Sequence, residues 1–353
     1  MTTERRRWHE HPLVQLTLVR FREFYREPEA VFWVFVFPVL LTAGLGIAFR
    51  NQAPERPPVA VVAGAPGADS LARALGASEG LAVRLLSDSA AADALRTGRV
   101  ALVVVPGNTG GVEYRYDRDR PDGRAARLLA DASVQAAAGR RDPIEISERL
   151  VSEPGSRYVD FVVPGLLGMN LMGSGIWGLG FAIVDARRKK LLKRLIATPM
   201  SRTQYLASFV LSRLTMLVIE VALLLGFAVV AFGVPLRGSL GLLAAICLLS
   251  SLAFGALGLL IASRAQTVEG VSGLMNLVML PMWIFSGVFF SASRFPDALQ
   301  PFIQALPLTA VNDALRASML EGAGLERIGP ELAVIGGWLA GSFVLAVRLF
   351  RWR

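Results

Sequence analysis

The chain has 353 residues, of which 53% are hydrophobic and only 18% charged, with a formal net charge of +9. Soluble domains average about 25% charged residues, so much of this apolar surface must face lipid. One cysteine (Cys247) excludes an intramolecular disulfide and a cysteine-based zinc site. The two histidines, His9 and His11, both lie in the charged N-terminal tail, which excludes a histidine-ligated metal centre or a Ser-His-Asp triad within the membrane.

Residues 1–29 form a basic tail. Within it, Val14, Leu18, Phe21 and Tyr25 fall on one side of a helix, opposite Arg22, Glu23, Arg26 and Glu27. This pattern predicts an amphipathic helix lying in the membrane interface, separated from the first span by Pro28. Residues 30–49 carry no charge and meet the requirement of about 20 apolar residues for a spanning helix. They lack a small-residue cleavage site and read as a retained anchor.

Residues 50–160 are of different material. The runs PPVAVVAG and ALVVVPG read as buried strands and GVEYRYDR as an exposed one. SLARALGAS, AADALRTG and GRAARLLADASVQAAAG read as helices. The expectation is a folded α/β domain inserted between the first two spans. Further spans are expected at 161–184, 205–232, 239–262, 270–290 and 331–350. The fold class expected is therefore a polytopic α-helical membrane protein with six transmembrane helices and an inserted extracytoplasmic α/β domain.

Orientation follows from the basic residues. The N-terminal tail, the 185–204 loop and the C-terminal end are rich in Arg and Lys. The opposite side has Arg237 in a short hairpin, and a longer segment in which acidic residues balance three arginines. Both termini and the 185–204 loop are expected in the cytoplasm, and the protein in the plasma (inner) membrane. This distribution also accounts for the positive charge without nucleic acid. The only lysines, Lys189, Lys190 and Lys193, sit in that one loop with no G-x-x-x-x-G-K-[ST] around them, so the chain carries no Walker A loop.

Several segments carry candidate work. In the cytoplasmic loop, Leu191, Leu192, Leu195 and Ile196 make an apolar stripe on a basic helix that includes Arg187 and Arg188, and Thr198-Pro199 breaks it. Ser201 with Gln204 forms a capping box for the next span. Such a helix could bind anionic headgroups or receive force from a motor. Arg213 and Glu220 are ionisable groups within the third span. They sit on one face about 10 Å apart along the axis, too far for a direct bond unless the side chains reach. Arg213 is expected to snorkel to the interface, and Glu220 to find its partner on a neighbouring helix. The second span is dense in Gly and Ser, with Asn170 and Ser174 among them. It suits tight packing, a subunit interface or an opening path. The fifth span has a similar character, with Asn276, a bending Pro281 and Ser286-Gly287. Residues 295–320, punctured by Pro296, Pro301 and Pro307, fit short re-entrant helices better than a span.

The segments LIATPMSRTQYLASF, PMWIFSGVFF and LPLTAVNDALR, in this order and topology, resemble the ABC-2-type transport permeases, the membrane subunits of a class of ABC exporters. FREFYREPEAVFWVFVFPVL resembles the N-terminus of the bacterial subgroup with a large domain between the first two spans. The resemblance implies a homodimer, or a pair with a similar permease, docked on two ABC ATPase subunits. These would bind ATP and Mg, and this chain would hold no cofactor of its own and catalyse nothing. It also implies that residues 187–201 are the coupling helix, that the turn ending at Glu269 makes a lesser contact with the ATPase, and that residues 13–27 are the connecting helix. Asn170, Ser174, Asn276 and Pro281 would then face the dimer interface or translocation path. The function implied is efflux of an amphipathic, drug- or lipid-like substrate, as in multidrug exporters. The inserted domain could handle substrate, dock a periplasmic or outer partner, or serve as a structural cap. A membrane-anchored ligand sensor or scaffold using that domain is the alternative, and it would need a cytoplasmic output domain that no cytoplasmic stretch here is long enough to form.

Overall fold

A computed structural model describes residues 12–49, 56–78, 80–107, 111–140, 155–188, 202–264 and 267–349. The chain divides into a helical unit, residues 1–50 and 152–353, and an inserted unit, residues 51–151.

The helical unit begins with α1 (Pro12–Tyr25). Val14, Phe21 and Phe24 are partly buried and Thr17 is buried, whereas Leu18 and Tyr25 are exposed. The inward stripe is thus Val14-Thr17-Phe21-Phe24, rotated from the expected one, because α1 packs along a neighbouring helix instead of presenting a symmetric apolar face. Pro28 opens α2 (Pro28–Ala48), where its fixed φ and missing N–H cost nothing. A π-helical turn at Phe32–Val36 interrupts α2 just before Pro38. Proline supplies no N–H for the carbonyl four residues back, so the backbone loosens there and the Val34 carbonyl is left for another donor.

Four long helices come next: α6 (Tyr158–Arg188), α7 (Arg202–Phe232), α8 (Leu240–Ala262) and α9 (Val268–Phe285). After them come the short α10 (Gln300–Ala305) and α11 (Pro307–Arg316), then α12 (Gly329–Leu349). Among the described residues, six helices are long and apolar enough to cross a membrane: α2, α6, α7, α8, α9 and α12. The most deeply buried of them are α6 and α8, with 61% and 56% of their most apolar windows inside the protein. Their contact is made by glycines. A Cβ on Gly258 would lie 2.5 Å from the Ile176 carbonyl oxygen, and one on Gly175 would lie 2.7 Å from the Phe254 Cβ. Backbones this close gain dispersion contacts that bulkier residues would prevent. The glycines of the second span therefore divide, since Gly165, Gly168, Gly175 and Gly180 meet atoms of this chain while Gly178 meets none.

The inserted unit holds a four-stranded sheet in the order β2-β1-β3-β4. The strands are β1 (Pro58–Val62), β2 (Ala82–Leu86), β3 (Leu102–Pro106) and β4 (Val112–Arg115). β1 pairs in parallel with β2 and β3, and β4 closes one edge antiparallel to β3. Its helices are α3 (Ala68–Gly76), α4 (Asp88–Arg96) and α5 (Pro121–Ala137). One face of the sheet, with Val59, Val61, Leu102 and Val104, packs on α3 and α5. The other, with Ala60, Val62 and Val103, is covered among the described residues by α4 alone.

Candidate functional site

Buried polar groups in a lipid-embedded bundle are costly unless paired, and this bundle concentrates its polar bonding around α6. At mid-helix, Arg213 and Glu220 of α7 meet Ser174 of α6 and Ser251 of α8. Arg213 Nη1 lies 3.2 Å from Glu220 Oε1, with the two side chains 20% and 1% exposed. Arg213 Nη2 donates to Ser174 Oγ at 2.8 Å, and Ser174 Oγ donates to Glu220 Oε2 at 2.9 Å, closing a ring. Arg213 Nε donates to Ser251 Oγ at 3.2 Å.

This corrects two expectations. Arg213 does not snorkel outward, and Glu220 finds its charge partner on its own helix. The two-turn separation is spanned because the arginine stem lies along the helix, while the Ser174 hydroxyl bridges both charges. The neighbouring helices contribute hydroxyls. A closed network of this kind is polarised in low dielectric and strengthens each of its bonds.

Asn170, four residues before Ser174, donates its Nδ2 at 3.3 Å to the Val34 carbonyl, the group that Pro38 deprives of its i+4 N–H. Asn170 and Ser174 are thus both engaged inside this chain. Asn276 is placed differently. The buried edge of α9 is Val271, Met275, Met279 and Met282, whereas Asn276 is exposed on a face it shares with Gly273, Leu277 and Leu280. Pro281 lies inside the same helix, partly buried.

The N-terminal end of α6 is gripped from three sides. Asp160, fully buried, accepts from the Gly155 and Arg157 backbone N–H groups at 2.9 and 3.2 Å. It also binds the Arg157 guanidinium at both carboxylate oxygens, 2.9 and 2.8 Å, and this bonding holds the arginine above its usual pKa. The same guanidinium donates to the carbonyls of Phe232 and Gly233, so a cation satisfies the C-terminal end of α7. The Tyr158 hydroxyl donates to the Phe289 carbonyl at 3.0 Å.

The third grip comes from α11, whose residues 307–312, 314 and 315 are buried. Arg316 stacks on the Phe161 ring, 3.9 Å from its centroid, and donates to the carbonyls of Phe161 and Gly287. Asn312 donates to the Ser286 carbonyl at 2.8 Å, and its Oδ1 fills the space that Gly168 leaves open. Sequence reasoning singles out neither residue. The signal that could have found them is their i, i+4 spacing in LPLTAVNDALR, which puts both polar groups on one side of the helix.

The loop candidates divide as follows. Arg187 and Arg188 end α6, but their side chains lie outside the described residues, as do Leu191, Leu192, Leu195, Ile196, Thr198 and Pro199 in full. Glu269 is exposed in the first turn of α9, where a carboxylate suits the helix dipole. The Thr267 hydroxyl caps that turn by accepting from Gly270 N–H at 3.1 Å.

Comparison with known proteins places these features in a family context. The family described as ABC-2 family transporter protein matches residues 29–348. The chain is 27% identical over 211 residues to ABC transporter G family member 20 of Dictyostelium discoideum, covering 58% of this chain and 29% of that protein. It is 30% identical over 105 residues to nodulation protein J of Rhizobium meliloti, covering 30% of this chain and 40% of the relative. With the inner membrane transport permease YadH of Escherichia coli it shares 26% identity over 179 residues, covering 50% of this chain and 68% of YadH. The matches to the first two relatives thus span less than half of those proteins' length.

Proposed function

Because the chain belongs to the ABC-2 family of transporter proteins, we propose that it is the permease subunit of an exporter driven by ATP hydrolysis in a separate ABC subunit. The observation that carries this reading is the Arg213–Glu220–Ser174 ring. It ties together α6 and α7, the two helices that bracket residues 189–201. A push delivered to that basic segment then moves the two helices as one body instead of splaying them. Leu191, Leu192, Leu195 and Ile196 receive the push, Arg187 and Arg188 flank it, Thr198-Pro199 ends the segment, and Glu269 supplies a second contact. ATP and Mg bind the partner subunit.

The face of α9 that carries Asn276 and Gly273 meets a second copy of the chain, or a similar permease, across the translocation path. A lone amide facing lipid would be costly, and an amide facing a path or a partner helix is not. Pro281 gives that helix a point of flexure. The substrate is an amphipathic, drug- or lipid-like molecule moved outward. The printed name of one relative, the probable multidrug ABC transporter permease YbhR of Escherichia coli, supports a drug-like substrate. The arginine-rich tail and loop support cytoplasmic termini in the inner membrane and an inserted domain on the extracytoplasmic side, open to an outer partner.

The test uses the single cysteine. In a Cys247→Ser background, Asn276→Cys is expected to give an oxidant-induced dimer in membranes, with a yield that changes when the ATPase is trapped with ATP and vanadate. A chain that stays monomeric in every nucleotide state contradicts this placement of α9.

A further inference from the structure

The inserted domain covers its two sheet faces unequally. Among the described residues, α3 and the seventeen-residue α5 cover one, whereas the nine-residue α4 alone lies on the other, over β1 and β3. Among the described residues nothing covers the outward side of β4 on that face, and there Glu113 and Arg115 are exposed. Between α4 and β4 lies a groove of about 420 Å³ with an apolar floor of Ala92, Leu95 and Val103. Arg96, Arg115 and Arg120 stand around it, with Tyr116 and Asp117 beside them. A volume of this order suits a small organic ligand.

The arginines are held by carboxylates that leave part of each fork unused. Arg115 spends Nε on Glu113 at 2.9 Å and Nη1 on Asp88 at 3.0 Å. Arg120 spends Nε and Nη2 on Asp122, at 3.3 and 2.6 Å, and this bonding holds the Asp122 carboxyl below its usual range. Arg96 spends Nη2 on Asp93 at 3.1 Å, with both side chains well exposed. Exposed pairs of this kind contribute only about 0–1 kcal/mol, so an incoming carboxylate can compete for the guanidinium groups. A carboxylate is the complement that a guanidinium fork recognises best.

We propose that this groove is a binding site for a small amphipathic anion, an organic carboxylate whose apolar body lies on Ala92, Leu95 and Val103 while its head is held by Arg115 and Arg120. The apolar floor sets the requirement for an apolar body, and the unused N–H groups set the requirement for negative charge. This site stands on the inserted domain alone and does not depend on the transport reading.

The probe is 1-naphthoate, compared with its uncharged relative 1-naphthamide. Binding to the full chain in lipid nanodiscs is measured by saturation-transfer NMR and calorimetry, with empty nanodiscs subtracted. Naphthoate is expected to bind at least tenfold more tightly than naphthamide, and Arg115→Ser with Arg120→Ser is expected to lose that preference. Asp93→Asn frees Arg96 and is expected to tighten naphthoate binding several-fold, a gain that a folding defect cannot imitate. Equal binding of the two probes, no naphthoate binding at millimolar concentration, or an unchanged preference in the double arginine variant would each overturn the proposal.

Discussion

Glu220→Ala should be among the most damaging single substitutions in the bundle. It leaves the Arg213 guanidinium without its counter-charge and takes away the acceptor of the Ser174 hydroxyl. Removing one member of a buried ion pair costs about 3–5 kcal/mol, because the surviving charge stays desolvated and unpaired. The expected result is a sharp drop in monodisperse protein after extraction and in thermal stability. Glu220→Gln should be milder, since the amide oxygen can still accept from Ser174 or Arg213. The informative comparison is the double variant Arg213→Met with Glu220→Leu. Apolar groups of similar length remove both charges together, so it should be markedly more stable than Glu220→Ala. A double variant as damaged as the sum of its singles would show that the two charges are not coupled, and the account of α6 and α7 as one body would lose its basis.

The second large effect is expected at the α6–α8 contact. Gly258→Ala places a methyl group 2.5 Å from the Ile176 carbonyl oxygen, a backbone atom that cannot step aside as a side chain would. Overpacking of this sort costs about 1–3 kcal/mol and forces the two helices apart. Gly178→Ala is the matched control, on the partner helix but with nothing within 4 Å of the added carbon. It should leave stability unchanged or slightly raised, as alanine is the better helix former. Thermal unfolding of the two purified variants decides the point. Equal loss in both would mean that helix flexibility, and not the close approach, is what these glycines supply.

The architecture was largely legible in the sequence, for identifiable reasons. Runs such as 240–262 are apolar over a full membrane thickness, and no other fold needs that. In the inserted domain, β1 and β3 are continuous apolar runs because both faces of each are covered. β2 was not legible. Its AVRLL is an edge strand with Arg84 and Leu85 both exposed, so neither burial nor alternation marks it.

The polar interior was only partly legible. Arg213 and Glu220 stand out as charges in an apolar run, but their pairing depends on how far a side chain reaches and on where Ser174 comes to lie. Periodicity contains neither fact. Asn170 shows the same limit. Its partner is a main-chain carbonyl released by Pro38 on another helix, and no pattern local to Asn170 records it. Arg316 and Asn312 escape a sequence reading because a polar residue in a connecting segment looks ordinary until the segment is found buried against α6.

The central claim is that a separate ATPase works this chain through residues 187–201. The most direct measurement is co-purification of the tagged chain from its native membranes in mild detergent, with mass spectrometry of what accompanies it. The same experiment is then run on the Leu192→Asp, Leu195→Asp double variant. The account predicts a Walker-type ATPase with the unmodified chain and its loss from the double variant, while the yield of folded permease stays the same. No ATPase in either sample would contradict it.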